Sequence, residues 1–366
     1  MAGKFYLKKF AEIDIDDVFF DTLKRDYPGT ASSTGFVEWF KKKSDAGATA
    51  LTFEDTEGIG AFIVLKEEDE EIELQDQVLP KHCRMKISTL RIAERYRGQR
   101  IGEGAIGLIL WKWQNSRCDE IYVTVFERHT DLISHLEHFG FKKIGVNLNG
   151  EIVYIKDKRA IDFSTPYKSF PFIKCDFEEA GYVIIDDQYH DTMFAYSKLA
   201  NNNLLQDYLG CSVTNGISKI YIGRAINPKY KIGEPVLIYR RYTKGDGKRY
   251  RSCVTSYCVV TDVIQAKKYN HYLMTFEELL QRIGNKSVFD RAELERQYNS
   301  NPTVTIIEML YYGYFGAGNN VNMDWLERNG CWAGQGIYPT DYRLSAQQFK
   351  KVLAEGKVDV QNVIID

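Results

Sequence analysis

A strand that runs into a glycine-punctuated turn and leaves it as an apolar helix can belong to few folds. Here Met85–Ile92 alternates as a strand should, residues 95–106 (R-Y-R-G-Q-R-I-G-E-G-A-I) form the turn, and Ile106–Gln114 has the spacing of a helix. Several backbone N–H groups of such a turn converge where the helix begins, and the helix dipole favours negative charge there, so the place suits a diphosphate. A tight turn with solvated arginines is the plainer reading of the same residues. The surroundings favour the first reading: from Lys81 to Arg100 there are seven lysines and arginines against one acid, Glu94, in an otherwise acidic stretch. Arg100 stands where such loops commonly place a glycine, and it is expected to add a charge-assisted phosphate contact.

The elements around this unit alternate. Strand Lys4–Phe10, helices Ile15–Asp26 and Gly35–Lys43, and a hairpin of Ala48–Phe53 with Gly60–Lys66 precede it. Strand Glu120–Phe126, helix Thr130–Phe139 and a hairpin over Lys142–Ile155, turning at Asn149-Gly150, follow it. The acidic run Glu67–Glu73 is predicted to be a solvated hairpin turn. At 366 residues the chain exceeds one ordinary core, and its periodicity divides it into an α/β domain over 1–158, a less regular connecting segment over 159–210 and a strand-rich domain over 211–366. Seven scattered cysteines without a Cys-x-x-Cys pair suggest neither a disulfide framework nor a metal site, so no metal is expected. No apolar run approaches a membrane span and the first residues do not read as a secretory signal. A cytoplasmic protein away from membranes is expected. Net charge is only −2, so a polyanionic partner has to be met by a local basic patch.

The segment L90-R-I-A-E-R-Y-R-G-Q-R-I-G102, with the complete pattern Q99-R-I-G-E-G104, resembles the acetyl-CoA signature of GNAT superfamily N-acetyltransferases. Ile121–Phe141, ending in H135-L-E-H-F-G-F141, resembles the later strand and helix of that family. The resemblance implies an α/β fold with a mixed central sheet flanked by helices, and acetyl-CoA as cofactor. The pantetheine arm would lie along the backbone of Leu90, Arg91 and Ile92. The diphosphate would meet N–H groups of Gly98 to Gly102, in a loop running from Arg97 through Gly98, Gln99, Arg100, Ile101, Gly102 and Glu103 to Gly104. The family's frequent general-acid tyrosine falls at Leu136, its asparagine at His129, and a central-strand carboxylate at Arg84. His129, and after it His135, is the nearest titratable candidate for moving a proton.

In the last domain, Y239-R-R-Y-T-K-G-D-G-K-R-Y-R251 holds six basic residues and three tyrosines about one turn. An exposed hairpin arm of this kind would meet phosphates and stack on bases through Arg240, Arg241, Tyr242, Lys244, Lys248, Arg249, Tyr250 and Arg251; a hairpin kept soluble by its charge is the alternative. The pieces I220-Y-I-G-R-A and G233-E-P-V-L-I-Y-R240 resemble a PUA-like β-barrel of the ASCH and EVE type, and Y189-H-D-T-M-F194 resembles a segment that joins an acetyltransferase unit to such a barrel. This implies an α+β barrel domain and RNA or another nucleic acid as partner. The loops 313–320 and 329–336, with Trp325 and Trp332, are expected either to edge a pocket or to pack. Two functions follow. One is an acetyl-CoA-dependent N-acetyltransferase acting on a primary amine and brought to RNA or an RNA–protein assembly, such as an aminoacyl-tRNA. The other is a nucleic-acid-binding module whose acetyltransferase fold is idle or senses a ligand.

Overall fold

In a computed structural model, residues 4–30, 34–194, 197, 215–333 and 341–366 are described. The expected boundary at 210/211, Cys211 and residues 334–336 of the second glycine loop lie outside the described residues. The first sheet has seven strands: β1 (Lys4–Lys9), β2 (Thr49–Asp55), β3 (Gly58–Glu73), β4 (Val78–Ile92), β5 (Glu120–Val125), β6 (Lys142–Val146) and β7 (Ile152–Asp157), in the order β1-β2-β3-β4-β5-β7-β6. Only β4 and β5 are parallel; the other neighbours are antiparallel. Helices α1 (Asp21–Asp26) and α2 (Phe36–Asp45) cover one face, where Phe10, Phe20, Phe40 and Phe62 pack together. Helices α3 (Ile101–Gln114) and α4 (Thr130–His138) cover the other, over Met85, Ile87, Ile121 and Val123. This is the mixed, helix-flanked sheet that the sequence implies.

Two local expectations change. The acidic run is no turn: it is the second half of β3, paired with β4 down to Glu73 opposite Val78. Lys66 of the same strand matches two of its charges, Glu68 at 2.9 Å and Glu70 at 3.0 Å, while the Tyr122 hydroxyl donates to Glu68 and the Arg84 guanidinium to the Glu70 carbonyl at 3.2 Å. Helix α3 begins at Ile101, five residues before the apolar run, although Gly102, Gly104 and Gly107 are poor helix formers. Close approach explains two of these glycines. A Cβ on Gly104 would lie 1.8 Å from the Asn215 carbonyl oxygen, and one on Gly107 would lie 2.5 Å from the Ile217 side chain.

After the short helix α5 (Pro166–Ser169) and the strand β8 (Ile173–Lys174), the second sheet begins inside the segment read as a connector. Its strand β9 (Glu179–Asp186) leads into α6 (Asp187–Met193), and then come β10 (Ser218–Gly223), β11 (Pro235–Arg241), β12 (Cys253–Lys268), β13 (His271–Tyr272), β14 (Val304–Tyr314), β15 (Val321–Asn322) and β16 (Leu344–Ser345). The main order is β10-β14-β12-β11-β9-β16, with β9 parallel to β11 and with β13 and β15 added to β12. Among the described residues no pair joins the two ends, so within them the strands of the expected PUA-like β-barrel form a mixed sheet without closure. The last strand, β17 (Ile364–Ile365), pairs with β8. Both sheets share one apolar cluster, because α3 is buried on two sides. Trp113 packs on Phe172 with ring centroids 5.5 Å apart, while Trp111 meets Tyr311 edge-on at 5.4 Å and donates from its indole to the Tyr312 carbonyl at 2.7 Å.

The Y189-H-D-T-M-F194 motif forms most of α6 and ties β11 to β12. His190 Nε2 meets Thr255 Oγ1 at 2.7 Å, His190 Nδ1 meets Asp191 at 2.9 Å, and Arg240 donates to both Asp191 oxygens at 2.7 and 2.8 Å. Thr255, His190 and Asp191 have the order of a nucleophile relay, but Thr255 and His190 are wholly enclosed, so the arrangement is a structural one. Burial pushes the His190 imidazole below its ordinary range further than Asp191 beside it pushes it up. Folding thus favours the neutral ring, and the unfolded chain takes up the proton first. This contribution is intact above the unfolded value of about 6.5 and is lost as pH falls below it. We expect His190→Gln to flatten the decline of denaturation midpoint between pH 7 and pH 5, and an unchanged slope in the variant would reject this assignment.

Candidate active site

The first sheet opens at its centre. Strands β4 and β5 pair only from Arg84–Ile87 to Glu120–Val123. Just beyond, Ser88 is the extra residue of a β-bulge, since Ile87 and Thr89 face the consecutive residues Leu65 and Val64 of β3. A bulge bends its strand. From there Leu90, Arg91 and Ile92 pair with Ile63, Phe62 and Ala61 on one side only. Their other edge, with its N–H and C=O groups, faces the fork.

At the end of β4 the turn is built as its sequence suggests. A 3-10 turn at Glu94–Tyr96 leads to Gly98 at φ 78°, and Arg100 at φ 62°, ψ 15° caps α3. The N–H of Gln99 is taken by the Tyr96 carbonyl, and that of Gly104 by the Arg100 carbonyl. Ile101, Gly102 and Glu103 open the helix and so have no intrahelical acceptor for their N–H groups. There is space above them. A Cβ on Gly98 would meet nothing within 4 Å, and one on Gly102 would meet only Ile92, at 3.4 Å.

Arg100 does not serve as expected from sequence. Its guanidinium turns from the loop to β10, where it donates to Ser218 Oγ at 2.7 Å and to the Ser218 carbonyl, and it pairs with Glu103 at 3.1 Å. The side chain is only 9% exposed, so it does not reach out over the turn. A left-handed backbone in a non-glycine residue costs roughly 1–2 kcal/mol, and these bonds offset it. Burial acts to raise the Glu103 carboxyl, yet Arg100 and the Ser218 N–H together hold it below the usual carboxylate range. The cation left facing solvent is Arg97, 79% exposed and joined only loosely to Asp131 of α4 at 3.5 Å. Arg91 is held elsewhere by the Phe19 carbonyl at 2.7 Å and Thr22 at 3.0 Å, so its backbone, and not its guanidinium, faces the fork. The Gln99 side chain bonds the Arg95 carbonyl.

His129 caps the start of α4 and is exposed; His135, one turn and a half further on, is exposed with Nδ1 2.8 Å from the Asp131 carbonyl. Leu136, where the family tyrosine would stand, is fully buried in the core. Arg84 is buried and paired with Glu120 at 2.6 Å. Sequence reasoning missed two tyrosines on the α1/α2 side of the fork. Tyr122 of β5 sits one rung below the opening, gives its hydroxyl proton to Glu68 and lies under the Lys86 ammonium at 5.3 Å. Tyr27, in the loop after α1, packs on Phe126 and donates to Glu151 at 3.1 Å, closing that side. Alternation along β5 marks Tyr122 as lying opposite to Ile121 and Val123, but Tyr27 carries no local signal of its partner 124 residues away.

The basic arm of the second sheet differs most from expectation. Tyr239 and Arg240 are buried, Arg240 on Asp191; Arg241 pairs with Asp186, and Arg249 with Asp324 at 2.7 Å and Glu327 at 2.8 Å. Arg251 lies over the Tyr242 ring at 5.0 Å. Of the expected contacts, Arg241, Lys244, Lys248, Arg249, Tyr250 and Arg251 stand exposed. Three of the arm's six cations pair with acids of the protein, though only Arg240 among them is buried, and residues 248–251 form a helical turn against the helix Met323–Arg328 and not the second strand of a free hairpin. Trp332 packs between Tyr182 and Tyr239 at 5.2 and 4.4 Å, and Trp325 lies beneath Lys351, which supports packing roles for both. A different concavity, about 910 Å³, opens beside β10. Tyr189, Tyr221, Tyr230 and Phe289 line it together with Arg224 and Lys229. Among the described residues no cluster of metal-ligating side chains occurs and no helix is long and apolar enough to cross a membrane.

No protein-family model and no curated protein matches this chain. Solved structures similar to it include both ASCH proteins and GNAT acetyltransferases, each spanning less than half of it. ASCH from Zymomonas mobilis is 11% identical and covers 48% of this chain and 94% of its own, with a TM-score of 0.30. Ard1 from Thermoplasma volcanium is 12% identical over 42% of this chain and 95% of its own, at 0.30. Arabidopsis thaliana NAA60, in complex with acetyl-CoA, is 14% identical over 42% of this chain and 99% of its own, at 0.30.

Proposed function

We propose that the fork and the turn bind acetyl-CoA and that the chain is an N-acetyltransferase acting on a primary amine. The observation that supports this best is the unpaired edge of Leu90–Ile92 leading directly into the open N–H groups at the start of α3. An extended arm with amide groups can add to that edge as a further strand does, and a diphosphate fits the helix N-terminus with Arg97 as its cation. The residues fit the group: the space over Gly98 and Gly102 is what a phosphate needs. Bound acetyl-CoA supplies an activated acyl carbon. The chain's own residues hold the arm, and the open end of the fork, beyond the last paired rung at Ile87 and Val123, admits the amine. The amine must lose a proton to attack, and His129 is the exposed base we assign to receive it.

We also assign RNA to the second sheet, at the concavity beside β10 together with the exposed cations of the basic arm. The concavity's rings can stack on bases, and Arg224 and Lys229 can meet phosphates. An aminoacyl-tRNA would bring an amine and an RNA together on one substrate. Acetyl-CoA titration followed by thiol release against peptide amines and aminoacylated RNA tests the reading. His129→Ala should lower kcat with acetyl-CoA affinity unchanged. Binding without thiol release on any amine would favour the ligand-sensing alternative, to which the buried Leu136 already points; absence of binding would reject both.

A further inference from the structure

Two asparagines from the far side of α3 reach the carbonyl groups of the turn. Asn285, in the loop after the helix Phe276–Ile283, donates to the Gly98 carbonyl at 2.5 Å, and Asn215, ahead of β10, donates to the Gln99 carbonyl at 3.2 Å. They act on the turn through the peptide plane. Because a peptide unit is flat and trans, a fixed carbonyl fixes the N–H of the next residue on its opposite side. Asn285 thus sets the Gly98–Gln99 peptide, whose N–H closes the turn onto Tyr96, and Asn215 sets the Gln99–Arg100 peptide, whose N–H points away from that carbonyl. The Arg100 side chain is anchored on Ser218 of the same segment, so three residues from the second half of the chain hold one turn.

We infer that Asn215 and Asn285 are positioning residues for the diphosphate: acetyl-CoA affinity in the first sheet is set by side chains that follow the second sheet's first strand, β9, in the chain. This rests on the acetyl-CoA reading. Without these bonds a flip of the Gln99–Arg100 peptide would turn its carbonyl, which repels a diphosphate, to where its N–H points, and a flip of the Gly98–Gln99 peptide would break the bond from Gln99 to Tyr96 that closes the turn. The side chain of Asn285 lies at the protein surface, so its removal leaves both cores packed.

The test uses the full chain and CoA itself as probe. Asn285→Asp keeps the shape but loses the donor, and Asn285→Ala loses both; each should raise the Kd for CoA about tenfold, the worth of one hydrogen bond, with the denaturation midpoint unchanged. Asn215→Asp should raise the Kd as well, with a lowered denaturation midpoint because it buries a carboxylate, and Asn285→Gln should recover part of the loss. In turnover, KM for acetyl-CoA should rise while kcat stays. Wild-type affinity in Asn285→Asp and Asn215→Asp overturns the inference and leaves the cofactor reading intact. Failure of the wild-type chain itself to bind CoA overturns the cofactor reading and this inference with it.

Discussion

Gly102→Glu should abolish acetyl-CoA binding, by more than about a hundredfold in Kd, while leaving the fold as stable as before or slightly more so. The two effects separate cleanly for a physical reason. A Cβ at Gly102 meets only the tip of Ile92 at 3.4 Å, so the first carbon is accommodated. Replacing glycine inside a helix favours folding by up to about 1 kcal/mol, and a carboxylate in the first turn interacts well with the helix dipole. That same carboxylate stands where a diphosphate would be received, and it repels it. Calorimetric or fluorescence titration with CoA, beside a denaturation curve, measures both. Retained affinity would remove the turn from the site; lost affinity with a lost fold would show that Gly102 is needed for packing.

The second large effect concerns stability. Arg240→Ala should destabilise the protein by about 1–3 kcal/mol, because it takes the cation from the enclosed Asp187, while Asp191, whose side chain is 54% exposed, is left within reach of water. Arg240 grips Asp191 with two bonds and lies 3.8 Å from Asp187, which is almost wholly enclosed and accepts from the Thr243 hydroxyl and the Gln188 N–H. Burial would raise the Asp191 carboxyl, but the Arg240 fork and His190 hold it well below the usual carboxylate range. Urea denaturation of Arg240→Ala and Arg240→Lys would grade the effect, the lysine keeping the charge and losing the paired geometry. A change below about 1 kcal/mol in both would mean that Arg240 is as dispensable as a surface cation. Any nucleic-acid binding lost in Arg240→Ala has to be read against this loss of stability, whereas Lys244 and Lys248, exposed on the same arm, can be replaced without it.

The turn was legible because its determinants are neighbours in sequence. A glycine at positive φ, an alternating strand before it and an apolar helix after it are all local matters. The use of Arg100 was not legible, since its partner Ser218 lies 118 residues away and either orientation of the guanidinium satisfies the local pattern. The pairing within the basic arm was hidden for the same reason. Its dense run of cations does lie mostly at the surface, but Asp186, Asp191 and Asp324, which pair with Arg241, Arg240 and Arg249, come from separate places in the chain. Strand β9 was concealed by its context and not by its composition: E179-A-G-Y-V-I-I-D186 is a plausible strand, and it was absorbed into a segment judged by its irregular flanks. The acidic half of β3 was missed because its pairing cations are Lys66, at the head of the run, and Arg117, 50 residues away from Glu67.

Helix α3 belongs to the first sheet by sequence and to both sheets by packing, and this bears on how such a chain can be inherited. Gly104 and Gly107 are shaped to residues 215–217, and Trp111 gives its indole proton to Tyr312. Once those commitments exist, neither half can be exchanged for a relative's without stranding an indole, exposing a tyrosine-lined face or leaving an empty groove along the helix. The two halves are therefore bound to evolve as one unit, with substitutions on α3 answered on β10 and β14, and recombination between them selected against wherever it separates Trp111 from Tyr311 and Tyr312.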